Sequence, residues 1–81
     1  MTIKGIITNF NELEDKDVQV VGYIEPLGKD NFSHLCDTNG RIQLYFRDYI
    51  PEFEEGNLVS ISGLVFREGD ITIQVKELSI L

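Results

Sequence analysis

An all-β fold, a five-stranded barrel with little or no helix forming a single domain over residues 1–81, is what this chain predicts. Three observations carry it. Apolar and polar residues alternate with a period of two in five short runs, Gly, Asn, Asp and Pro stand between those runs, and no segment has a convincing helical stripe. The 81 residues favour a closed, compact solution, because a domain near this length buries only about 60% of the surface its unfolded chain exposes.

Ile3 to Ile7 reads as a strand or the leading edge of one, interrupted by Gly5, and Asn9 to Lys16 as an acidic connecting loop or one helical turn. In the next run Val18, Val20, Gly22 and Ile24 alternate with Gln19, Val21 and Tyr23. That pattern predicts a strand with Tyr23 outward and Gly22 at the bend a small barrel needs to close. Pro26 to Asp30 is a loop with Gly28 as pivot and Lys29 at its tip.

Phe32 to Tyr45 predicts a hairpin across Asp37-Thr38-Asn39-Gly40, a turn whose Asn and Gly tolerate positive φ. Ile42, Leu44 and Phe46 form its apolar side, opposite Arg41, Gln43, Tyr45 and Arg47. With Leu35 inward, Ser33 follows it, and Phe32, His34 and Cys36 turn outward beside Arg41, Gln43 and Tyr45. The hairpin so presents aromatic rings, an amide and cations on one face.

Asp48 to Asn57 is expected to be a turn, or a single helical turn, that caps the barrel, with only Tyr49, Ile50 and Phe53 as apolar plugs; Pro51 disfavours a continuing strand. A fourth strand directs Val59 and Ile61 inward and bends at Gly63 on its way to Val65. After the turn Arg67-Glu68-Gly69-Asp70, a fifth carries Ile71, Ile73 and Val75. Leu78 and Ile80 fall out of step with Val75, so an irregularity near Lys76-Glu77 is needed to return them to the core. The predicted core is Val18, Val20, Ile24, Leu35, Ile42, Leu44, Val59, Ile61, Ile71, Ile73 and Val75.

Gly28-Lys29, Phe32, Leu35, Asp37, Gly40, Ile42 and Gln43 together resemble the G-K-x-x-F-x-x-L-x-D-x-x-G-x-I-Q pattern of the OB-fold anticodon-binding domain of aspartyl-, asparaginyl- and lysyl-tRNA synthetases. The resemblance extends through residues 18–24 and 55–63 and implies a Greek-key OB barrel. It also implies that Phe32 stacks on a base and Gln43 bonds a base edge. Two positions depart from the pattern: Cys36 stands where those synthetases usually carry Arg, and no Arg follows Tyr23-Ile24-Glu25-Pro26. A shorter similarity, over Tyr49 to Gly56, is to the periplasmic haem-chaperone OB-fold, whose haem-attaching His and membrane anchor have no counterpart here.

Seven Lys and Arg against fourteen Asp and Glu give a net charge of −7. This argues against strong nonspecific nucleic-acid binding, since that affinity comes from cations neutralising phosphates, although Lys29, Arg41 and Arg47 flank or lie on the hairpin face. The acids gather at Glu12, Glu14, Asp15 and Asp17 and again at Asp48, Glu52, Glu54 and Glu55. Such clusters read as solvated loops that keep a small protein soluble, or as a surface for a basic partner. One Cys and one His fall short of a zinc site or a disulfide. No phosphate loop or nucleophile motif is present, so neither catalysis, cofactor nor metal is expected. No apolar run approaches the roughly 18 residues of a membrane helix, and a cytoplasmic location is expected.

The expected function is weak binding of single-stranded DNA or of RNA, including tRNA. Tyr23, Phe32 and Tyr45 would stack, Gln43 and His34 would meet bases, and Lys29, Arg41 and Arg47 would meet phosphates. The alternative is an OB-fold adaptor that binds a protein partner through a strand edge or its acidic surfaces.

Overall fold

A computed structural model describes residues 1–81. Helix α1 (Ile3–Thr8) and the single turn α2 (Phe10–Leu13) precede β1 (Asp17–Ile24), β2 (Phe32–Asp37), β3 (Gly40–Tyr45), β4 (Leu58–Glu68) and β5 (Asp70–Ile80). The strands close into a barrel in the order β1-β2-β3-β5-β4, with β4 returning to β1. All pairings are antiparallel except β3 with β5, which closes the barrel in parallel over Gln43–Tyr45 and Thr72–Gln74. This is the OB-fold.

Every predicted core position is buried except Ile71, which is half-buried at the rim beside the β4–β5 turn. Thr72 is fully buried instead. Its side chain lies on the outer side of β5 but is flanked by its strand neighbours Gln43 and Phe66 and takes a hydrogen bond from the Gln43 amide at 2.9 Å. Burial on this strand comes from neighbouring side chains as well as from the barrel interior.

The first residues are helical where a strand was expected. Thr2 Oγ1 accepts the Gly5 amide at 2.9 Å as an N-cap, and Ile3, Ile6 and Phe10 follow at the three- and four-residue spacing that shares a helix face. Ile3 and Ile6 are fully buried and Phe10 nearly so, so α1 closes the end of the barrel at which β3 begins. Gly40 makes that closure possible. A Cβ there would stand 3.2 Å from Ile3 Cγ2, and neither Gly40 nor Asn39 has positive φ. The hairpin turn is set by Asp37 Oδ1, which accepts the Asn39 amide at 2.8 Å.

The opposite end is capped by the turn-containing segment between β3 and β4. Phe53 stacks on the buried Phe46 with ring centroids 5.8 Å apart, whereas Tyr49 and Ile50 stay exposed rather than plugging the barrel. The predicted irregularity in β5 is present: Ser62 pairs with Glu77 but Gly63 with Val75, so Lys76 is an extra residue opposite Gly63. Leu78 thereby packs against the core. Ile80 does not; as the last residue of β5 it lies in an open groove at the barrel end and is 55% exposed.

Candidate functional site

The outer face of β1, β2 and β3 sets the outward residues in rows across the strands. Tyr23 pairs with Cys36 and Cys36 with Arg41; His34 pairs with Gln43 and Gln43 with Thr72; Phe32 pairs with Tyr45. The rings of Phe32 and Tyr45 lie 4.9 Å apart, and Phe66 of β4 meets Tyr45 edge-on at 6.4 Å. These three aromatics line an open groove of about 330 Å³ flanked by Asp30 and Glu68. Phe66 was not singled out from the sequence, although its alternation with the inward Val65 places it outside.

Gln43 sits at the centre. Its amide nitrogen donates to Thr72 Oγ1 at 2.9 Å and to the Glu68 carbonyl at 3.3 Å, which leaves its carbonyl oxygen as the group without a protein partner. Thr72 in turn donates to the Asp70 carbonyl at 2.9 Å, tying Gln43 to the β4–β5 turn. The side chain is oriented before any ligand arrives, and it offers an acceptor only.

Arg41 is not a free cation. Its Nε and Nη2 donate to Glu25 Oε2 and Oε1, each at 2.7 Å, in a bidentate pair. The bonds from Arg41 hold the Glu25 carboxyl below its ordinary value, and the same bonds raise Arg41. Beside them, partial burial and the Arg41 charge lower His34, while Glu25 and Asp70 oppose that shift. His34 is therefore biased towards the neutral form, which can stack.

Lys29 is exposed in a short turn of 3-10 helix whose Asp30 and Asn31 both adopt left-handed φ near 60°, a region Asp and Asn tolerate. Ser33, buried under this loop, donates to the carbonyls of Glu25 and Pro26 at 2.7 and 3.2 Å and fixes where the loop departs. The structure brings Phe32, His34, Arg41, Gln43 and Tyr45 into one patch, with Tyr23 at its margin and more than half exposed. Arg47 lies beyond the end of β3, where its Nε is 3.7 Å from Asp48. Arg67 joins the patch instead: it lines a groove with His34, Arg41 and Gln43, and its guanidinium lies 4.9 Å from the Phe10 ring centre. Across the patch and its flanking loops, Lys29, Arg41 and Arg67 face Glu25, Asp30, Glu68 and Asp70, so the charges nearly cancel.

No family model matches the chain. It is 35% identical to the lysine–tRNA ligase of Carboxydothermus hydrogenoformans over 99% of its own length and 19% of that protein's. A second lysine–tRNA ligase, from Clostridium acetobutylicum, is 38% identical, with 99% of this chain and 18% of the ligase aligned. The chain thus spans about a fifth of the length of the curated relatives it matches. Among solved structures, asparaginyl-tRNA synthetase from Pyrococcus horikoshii superposes on the whole chain with a TM-score of 0.75 at 18% identity, using 22% of that chain. The barrel is an OB-fold domain that resembles the anticodon-binding domain of the aspartyl-, asparaginyl- and lysyl-tRNA synthetases.

Proposed function

We propose that this chain is a non-catalytic module that binds single-stranded nucleic acid, tRNA foremost, on the outer face of β2 and β3. The observation that carries this reading is the contiguous row of Phe32, Tyr45 and Phe66 beside the oriented carbonyl of Gln43. Phe32 and Tyr45 accept the faces of unstacked bases. The Gln43 carbonyl accepts an N–H from a base edge, a role for which a side chain already held by Thr72 loses little conformational entropy on binding. Tyr23 and His34 extend the stacking surface, and Lys29, Arg41 and Arg67 reach phosphates at its margins.

The near-balance of charge across the patch makes the affinity low and the salt dependence shallow. Three cations correspond to a slope of roughly −2 at about −0.7 per phosphate, and the Glu25 contact on Arg41 reduces this further. The similarity to lysine–tRNA ligases supports a tRNA-facing role. Titration of the ¹⁵N-labelled chain with tRNA, single-stranded RNA and single-stranded DNA at low salt tests the reading. Amide shifts along residues 32–47 are expected. If none of the three ligands moves them, nucleic-acid binding on this face is refuted.

The net charge of −7 favours a second reading, an OB-fold adaptor that works through a protein partner. Absence of nucleic-acid shifts combined with capture of a protein partner would establish it.

A further inference from the structure

The acidic run after β3 lies at the other end of the molecule from α1 and takes no part in the aromatic face. There Leu27, Ile50, Phe53 and Ile80 line an open groove of about 810 Å³. Phe53 turns onto Phe46 and completes the barrel. Ile50 and Ile80 do not: they remain 50% and 55% exposed, and Leu27 38%, although each is large and apolar. Packing of the barrel leaves these three side chains with uncovered surface.

Glu52, Glu54 and Glu55 also line this groove, and no Lys or Arg does. None of the three carboxylates takes part in an ion pair. Their backbone is nevertheless fixed. The Glu54 amide donates to Asn57 Oδ1 at 2.8 Å while the Asn57 amide donates back to the Glu54 carbonyl at 3.1 Å. Gly56 donates to the Ile24 carbonyl at 2.8 Å and so ties the segment to the end of β1. A pre-formed groove lined by both uncovered apolar side chains and unpaired carboxylates is a binding surface with a defined sign of charge.

We propose that this groove docks a short segment of another protein in which Lys or Arg residues alternate with Leu, Ile or Val. In an extended segment side chains alternate in direction, so apolar residues enter between Leu27, Ile50 and Ile80 while the cations between them stay on the solvent side, within reach of the exposed Glu52, Glu54 and Glu55. The charge decides among possible occupants. Nucleic acid is repelled by the three carboxylates, and a second copy of the chain carries the same net charge of −7. The proposal is independent of the nucleic-acid reading, because the two surfaces use different residues.

The test is titration of the full ¹⁵N-labelled chain with a blocked heptapeptide of alternating Lys and Val, against hepta-lysine and against the same peptide with Glu in place of Lys. Saturable shifts at Leu27, residues 50–57 and Ile80 are expected, with the Lys/Val peptide at least about tenfold tighter than hepta-lysine and the Glu peptide silent. Ile50→Ser should weaken that peptide about tenfold while leaving amide dispersion intact, as expected for an exposed position. Equal binding of hepta-lysine, or shifts spread equally over residues 12–17, would reduce the effect to bulk charge and overturn the proposal. So would concentration-dependent shifts of the same amides without peptide, which would identify a second copy as the occupant, or shifts there on adding single-stranded RNA.

Discussion

Glu25 and Arg41 hold each other through two hydrogen bonds of 2.7 Å, with Glu25 contributed by the residue after β1 and Arg41 by β3. The pair neutralises the one arginine that lies within the paired rows of the proposed nucleic-acid face. Glu25→Gln should therefore free the Arg41 charge without displacing it from the patch. The expected outcome is tighter binding of single-stranded RNA at low salt and a salt slope steeper by about 0.7, the increment for one added phosphate contact. Fluorescence anisotropy across salt concentrations measures both, and an unchanged slope would mean that Arg41 contacts no phosphate.

His34 gives this face a pH dependence. Partial burial first and Arg41 second lower its pKa, so as pH falls below the usual imidazole value of about 6.5 the unfolded chain binds the proton more readily than the folded one. Stability should decline through that window. The Glu25 carboxyl, lowered chiefly by its bonds from Arg41, contributes stability that is present above its unfolded value of about 4.3 and lost as pH falls through the folded one. Proton NMR of the imidazole checks the origin of the His34 shift. Arg41→Ala should raise the His34 midpoint towards its ordinary value, and Glu25→Gln should lower it further.

Gly63 is the position at which β4 presses hardest on β5. An added Cβ would stand 2.1 Å from the Gln74 carbonyl oxygen and 2.8 Å from Ile73 Cγ2, so backbone must move. Gly63→Ala should cost at least the roughly 1 to 3 kcal/mol of ordinary core overpacking. Gly69→Ala, at φ +73° with nothing within 4 Å, should cost about 1 kcal/mol, in the range expected for left-handed backbone strain alone. Chemical denaturation distinguishes the two, and equal losses would remove the packing explanation.

The strands were legible because each keeps one face dry. Leu35, Ile42, Leu44, Val59 and Ile61 recur at period two, and all are at most 2% exposed. That β5 needs an irregularity near Lys76-Glu77 was legible for a related reason, since Leu78 cannot face inward without one, but its place opposite Gly63 was not, because it is set by the pairing with β4. The N-terminal helix was obscured by its length. Six residues carry only Ile3 and Ile6 as buried positions, and β-branched residues beside a glycine have the composition of a strand as much as of a helix. At the site, alternation identified the outward aromatics and Gln43 but carried no information on Glu25, which reaches Arg41 from sixteen residues away in sequence. Contacts between loops and strands of this kind are set by the closed barrel and have no local pattern.

Ile6 measures whether the helix belongs to the fold. It is fully buried, as is Ile42 to within 2%, so Ile6→Ala and Ile42→Ala should each cost roughly 2 to 5 kcal/mol. A loss below about 0.5 kcal/mol at Ile6, the range of surface substitutions, would show that the barrel end closes without α1.

The aromatic row decides the function. If Phe32, Tyr45 and Phe66 act as one platform, bases stack along a surface whose rings are 4.9 and 6.4 Å apart, and removing either end should shorten it. Phe32→Ala should weaken binding of single-stranded RNA by roughly 1 to 3 kcal/mol, the value of one stacked base, and Phe66→Ala should do the same. Tyr49→Ala supplies the control, because Tyr49 is an exposed aromatic in the segment between β3 and β4, outside the rows of this face. All three side chains are outside the buried core, so losses of binding are not expected to follow from unfolding, which thermal melts of each variant check. Arg41→Ala should differ in kind: it acts on the salt slope, whereas the ring deletions act at every salt concentration, since stacking releases no counterions. Binding that is lost at Phe32 but unchanged at Phe66 would confine the platform to the β2–β3 hairpin, and binding unchanged at both would remove stacking from the mechanism.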